Sequence, residues 1–73
     1  MNYEIYSVKD VVIGSFSDIK IMSNEAHATR WFKELCEQSK IKEDLQLYRL
    51  GVYSTETGCI NSDVVFIVGG ANV

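Results

Sequence analysis

The segment "LQLYRLGVYSTETGCI", Leu45 to Ile60, sets the tightest condition on the fold. Rich in Leu, Val and Tyr, it reads as a β-hairpin with Glu56-Thr57-Gly58 at its tip. A half-buried strand alternates apolar and polar side chains, because successive residues point to opposite faces. This strand does not alternate. Leu45, Leu47, Arg49, Gly51 and Tyr53 share one face; Gln46, Tyr48, Leu50 and Val52 share the other. Both faces carry large apolar groups, so both call for a cover. A chain of 73 residues forms one domain with a small core, and it has material for one covering layer.

The other elements follow from pattern and turn chemistry. "NYEIYSV" reads as a first strand and "KDVVIG" as a turn, with Asp10 and Gly14 at its special backbone positions. "SFSDIKIMS" reads as a second strand, with Ile19 and Ile21 on one face. Ser23 or Asn24 then caps a helix running to about Ser39, with Glu25 in the first turn, where the helix dipole favours an acid. Ala28, Phe32, Leu35 and Ser39 form its apolar stripe, flanked by Trp31 and Cys36; Arg30, Lys33, Glu34 and Glu37 project from the opposite side. "KIKEDL" is a charged connector. "DVVFIVGG" closes the chain as a buried strand, and about residues 69–73 are expected to fray. The order β-β-α-β-β predicts an α+β domain: a four-stranded antiparallel sheet with one helix packed on one face.

Composition narrows the function classes. Seven basic residues stand against ten acidic, a net charge of -3, whereas binders that depend on phosphate neutralisation usually carry a basic excess. No basic region followed by an apolar stretch marks a leader, and the longest apolar run, Val64 to Val68, is too short to span a bilayer. Cys36 and Cys59 are too few for a disulfide scaffold and lack metal-ligand spacing. His27, the lone histidine, has neither a nucleophile at an interpretable spacing nor an orienting acid. Glu34, Glu37, Glu43 and Asp44 read as solvated surface rather than a metal site. The closing "VGGANV" lacks the Lys-Ser/Thr and following helix of a phosphate loop. The expectation is a non-enzyme with no cofactor, acting in a reducing, intracellular setting.

Binding remains, and the aromatic residues carry it. Four of the eight are tyrosines, whose rings can stack on unpaired bases while the hydroxyl stays wet. Tyr6 and Tyr48 hold equivalent places in the two hairpins, with Lys9 and Arg49 near them in sequence to meet phosphates. These four residues are the candidate DNA contacts. Packing of the same tyrosines across a dimer interface is the competing reading, since interfaces also enrich tyrosine.

Several pieces of the chain together resemble a known family, the small nonstructural protein of gokushoviruses, single-stranded DNA phages of the Microviridae. The residues that carry the resemblance are the strand Ile5 to Asp10, Gly14 with Phe16, the helix start Asn24 with Ala28, Arg30 and Phe32, and the segment Leu47 to Gly58. They run in order over most of the chain. Departures are a shortened segment after Phe16, where relatives often carry a proline-containing stretch, and the short glycine-rich C-terminus. The resemblance implies a DNA-binding protein of genome replication or packaging, acting in the host bacterial cytoplasm; it supplies no established binding residues. Two functions stand as expectations. One is a dimeric accessory that binds single-stranded DNA. The other is an acidic dimeric adaptor that engages a phage replication or assembly protein without touching DNA.

Overall fold

A computed structural model describes residues 1–73. The elements run β1 (Asn2–Asp10), β2 (Ser15–Phe16), β3 (Lys20–Met22), α1 (Glu25–Glu37), β4 (Leu45–Ser54) and β5 (Ile60–Gly69), with 3-10 turns at Lys42–Asp44 and Gly70–Asn72. All strand pairs are antiparallel in a single sheet. Its order is β2-β1-β4-β5, with β3 also paired to β1. The α+β architecture with one helix is as expected, with one more strand. No helix is long and apolar enough to cross a membrane.

The extra strand arises because "SFSDIKIMS" does not run as one piece. β2 pairs with the end of β1 at Lys9 and Asp10, and β3 with its start at Glu4 to Tyr6. Ser17 breaks the ladder between them. Its backbone N–H donates to the Val8 carbonyl at 2.8 Å, and its Oγ accepts the Val8 N–H at 3.3 Å. A side-chain oxygen thus takes the place of a strand carbonyl, which is how serine competes with regular structure. The turn before β2 forms as its sequence suggests. Asp10 Oδ1 accepts the N–H groups of Val12 and Ile13 at 3.0 and 3.2 Å, and Gly14 sits at φ 80°. Gly58 takes φ 75° at the β4–β5 tip.

α1 starts where expected. Asn24 is the N-cap, its Oδ1 accepting the His27 N–H at 2.8 Å, which satisfies one of the free donors of the first turn. The helix ends two residues before Ser39, at Glu37. Its buried line is Ala28, Phe32 and Cys36 at i, i+4, i+8, and Leu35 is 38% exposed rather than in the stripe. Those three side chains pack on Tyr6, Val8, Leu45 and Leu47, with Met22, Trp31, Ile67, Val68 and Val73 at the margin. The C-terminal segment closes as the 3-10 turn Gly70–Asn72. Gly70 is buried beneath the Lys42–Asp44 turn, where an added Cβ would collide with the Lys42 carbonyl. Val73 packs against the core.

The helix cannot cover the whole sheet. Its 13 residues span about 20 Å at 1.5 Å each, whereas the domain is 40 Å along its longest axis. Only 11 of 73 residues are buried, which leaves large apolar side chains exposed on the strands.

Candidate nucleic-acid interface

Register decides which side chains share a face. Tyr6 pairs with Arg49 and Val8 with Leu47, while Ser7 pairs with Tyr48 and Lys9 with Gln46. Tyr6, Val8, Leu45 and Leu47 lie under α1, so Ser7, Lys9, Gln46 and Tyr48 alternate onto the other face. Tyr48 also pairs with Phe66, and Lys9 with Phe16. On this open face three rings therefore meet in a row across the sheet. The Phe16 and Tyr48 centroids are 5.3 Å apart at 78°, and those of Tyr48 and Phe66 are 5.6 Å apart at 74°. Both are edge-to-face contacts of the kind the ring quadrupole favours. Lys9 Nζ lies 5.7 Å from the centre of the Phe16 ring, within cation–π reach.

The strip is both held in place and accessible. Tyr48 donates its hydroxyl hydrogen bond to Gln46 Oε1 at 3.0 Å, which fixes the central ring. Phe16 is 43% and Phe66 51% exposed, so about half of each outer ring is open to solvent. Beneath the strip Ser7 is fully buried, its Oγ donating to the Ser17 carbonyl at 2.8 Å.

Charge is distributed unequally between the two sides. Glu4 pairs with Met22, and Asp63 lies three residues along β5 from Phe66, the partner of Tyr48, so both alternate toward the helix side. Glu25, Glu34 and Glu37 are on α1, and Glu43 and Asp44 on the following turn. Lys9 is the charged strand residue of the open face. The strand carboxylates thus lie off the open face, as do the strand bases Lys20 and Arg49, which pair with Tyr6.

The four residues singled out from the sequence separate. Lys9 and Tyr48 are part of the open face. Tyr6 is 0% exposed in the core, where its hydroxyl donates to Glu4 Oε1 at 2.6 Å. Burial pushes its phenol well above the ordinary tyrosine value, and the Glu4 hydrogen bond adds to the effect. Arg49, beside Tyr6, is half-buried on the helix side. The matching sequence positions of Tyr6 and Tyr48 place them on opposite faces, because the strands are offset by one residue in register. What sequence reasoning missed is Phe16 and Phe66. Their only signal was alternation, Ser62-Val64-Phe66 in β5 and Phe16 opposite Lys9, and it needs the pairing to become readable.

Other reactive groups lie away from the strip. Cys36 is buried in the core, and burial pushes its thiol up, which disfavours the nucleophilic thiolate. Cys59 is exposed near the hairpin tip. His27 is exposed on the first turn of α1, beside a shallow depression it lines with Arg30, Trp31 and Glu34. The largest concavity, about 340 Å³, lies between α1 and the β1–β2 turn; Phe16 at the end of the strip shares its lining with Val8, Ile13, Leu35 and Leu45.

Neither a curated protein nor a solved structure matches the chain. A family model does, over residues 3–73, and it takes in every strand that builds the open face. The chain is thus phage-encoded and belongs to the Phage ORF5 protein family.

Proposed function

We propose that this phage protein binds single-stranded DNA on the open face of its sheet and serves as an accessory in viral genome replication or packaging in the host bacterial cytoplasm. The observation that carries the reading is the uncovered Phe16–Tyr48–Phe66 row with Lys9 beside it. Unpaired bases stack on aromatic rings in a sequence-tolerant way, and each stacked base contributes about 1–3 kcal/mol. Such a surface needs few cations. One lysine on a face otherwise free of strand charges supplies a single phosphate contact, so the net charge of -3 is compatible with binding at low salt. Resemblance to the gokushovirus nonstructural proteins supports the same role.

Fluorescence anisotropy of a labelled oligo-dT tests it. Binding is expected at low salt, with a shallow dependence of log K on log salt, a slope of about -0.7 for each phosphate contacted. Lys9→Ala removes most of that slope. No binding at tens of micromolar protein sinks the proposal.

The adaptor reading has its own support in the acidic side chains of α1 and the turn after it, Glu25, Glu34, Glu37, Glu43 and Asp44, and in the exposed apolar turn Val11-Val12-Ile13. It expects a phage replication or assembly protein to be retained by the wild type and lost when exposed Arg30 and Lys33 are altered, with no response to oligo-dT.

A further inference from the structure

The two edges of the sheet are built differently. One is divided between β2, two residues, and β3, three residues, with Ser17 interrupting them. Short, broken edge strands are a usual protection against edge-to-edge pairing. The other edge is β5, ten residues long and paired only on its β4 side. It contains no proline, lysine or arginine, and its single charge is Asp63. Alternate backbone N–H and C=O groups of such a strand point outward without a partner. Val64, 62% exposed, and Phe66 stand beside that edge on the open face.

We infer that a second copy of this chain pairs with β5, strand to strand and antiparallel, about a two-fold axis normal to the sheet at Val65. That axis keeps both open faces on one side of a continuous sheet. It sets Val64 against the partner's Phe66 and Phe66 against the partner's Val64, the aromatic–β-branched cross-strand pairing that favours strand association. Asp63 then lies opposite the partner's Ile67. The two Asp63 carboxylates are offset by four residues, about 13 Å along the strands, beyond the screening length of about 8 Å at physiological salt. The strand therefore meets its own copy without a like-charge contact. Because each aromatic strip ends on β5 at Phe66, pairing joins the two strips into one longer track; this consequence rests on the proposed DNA reading, whereas the pairing does not.

Light scattering on the eluting wild-type protein at about 100 μM tests the pairing, with a mass of twice 8.3 kDa expected. Val64→Lys places a charge at the edge on an exposed position, so it is expected to run as a monomer with unchanged far-UV circular dichroism. In a Cys59→Ser background, Val65→Cys forms an intermolecular disulfide on oxidation and Ser62→Cys does not. A monomeric wild type overturns the inference, and so does a Val64→Lys protein that stays dimeric. DNA binding is read separately. A dimer that ignores oligo-dT defeats the function and leaves the pairing standing; a wild-type monomer that binds oligo-dT does the reverse. If both hold, the wild type covers about twice as many nucleotides per particle as Val64→Lys.

Discussion

The two faces of the sheet are made from the same strands and are both rich in large apolar side chains, yet they have opposite fates. On one face Tyr6, Val8, Leu45 and Leu47 are sealed under Ala28, Phe32 and Cys36 of α1. On the other, Phe16, Tyr48 and Phe66 form a row of edge-to-face contacts whose outer rings stay about half exposed. The covered face uses its apolar groups for stability, through area removed from water. The open face holds rings in fixed edge-to-face geometry while leaving them wet. A chain this short has one covering layer, and α1 is about 20 Å long by its rise per residue, half the 40 Å length of the domain. Apolar groups beyond that layer are therefore free for binding.

Substituting the same residue type on each face gives the strongest challenge to the contrast. Phe32→Ala removes a fully buried ring, and losses at such sites run to about 3–5 kcal/mol, a large part of the about 5–15 kcal/mol total of a small domain. Urea denaturation is expected to show its midpoint far below that of the wild type. Phe66→Ala gives up one edge-to-face pair, about 1 kcal/mol, and keeps the fold. Equal losses at the two positions would erase the distinction between a structural and a binding face.

Gly51 gives the next largest effect. A Cβ there would collide with the Asn61 carbonyl of β5, so Gly51→Ala must push β4 and β5 apart. A loss of about 1–3 kcal/mol is expected, as for other overpacked sites. Because the same displacement disturbs the Tyr48–Phe66 pair, stability and DNA binding fall together here, unlike at Phe66. A Gly51→Ala protein of wild-type stability would show that the two strands are not held at this approach.

A smaller effect comes from pH. The folded-state Tyr6 phenol is raised above its unfolded value near 10 by burial and by Glu4. The folded state thus holds its proton where the unfolded state releases it. Stability is fully present below pH 10 and declines as pH climbs above it. Thermal melts between pH 9 and 11.5 should show this alkaline decline, and Tyr6→Phe should flatten it while lowering stability at neutral pH through the lost hydrogen bond.

Local chemistry made much of the fold legible. Asn24 announced the helix, Asp10 with Gly14 and Gly58 announced the turns, and the order of elements along the chain followed from these, short of the split second strand. Elements that depend on side-chain competition were not legible. Ser17 splits a strand by inserting its hydroxyl into the ladder, and Gly70 is docked by a close approach to Lys42 that no periodicity reveals. Leu35 and Cys36 are neighbours on the helix, and the hydrophobicity of leucine favoured the wrong one, because the sheet meets the i, i+4, i+8 line. The candidate site was half legible for a related reason. Tyr48 and Lys9 were found, but Tyr6 was paired with Tyr48 by sequence position, whereas register shifts at Ile5/Tyr6 and along β4–β5 determine which rings meet. Phe16 and Phe66 come from strands far apart in sequence and join the row only through that register.

The most direct measurement is the affinity of oligo-dT at low salt for the wild type, Phe66→Ala and Arg49→Ala side by side. If the open face is the binding surface, loss of one stacking ring at about 1–3 kcal/mol per base weakens binding about 5- to 150-fold in Phe66→Ala. Arg49→Ala, altered on the helix side, stays within about twofold of the wild type, the scale of a surface change of roughly 0.5 kcal/mol. Wild-type affinity in Phe66→Ala, or a greater loss in Arg49→Ala, contradicts the account.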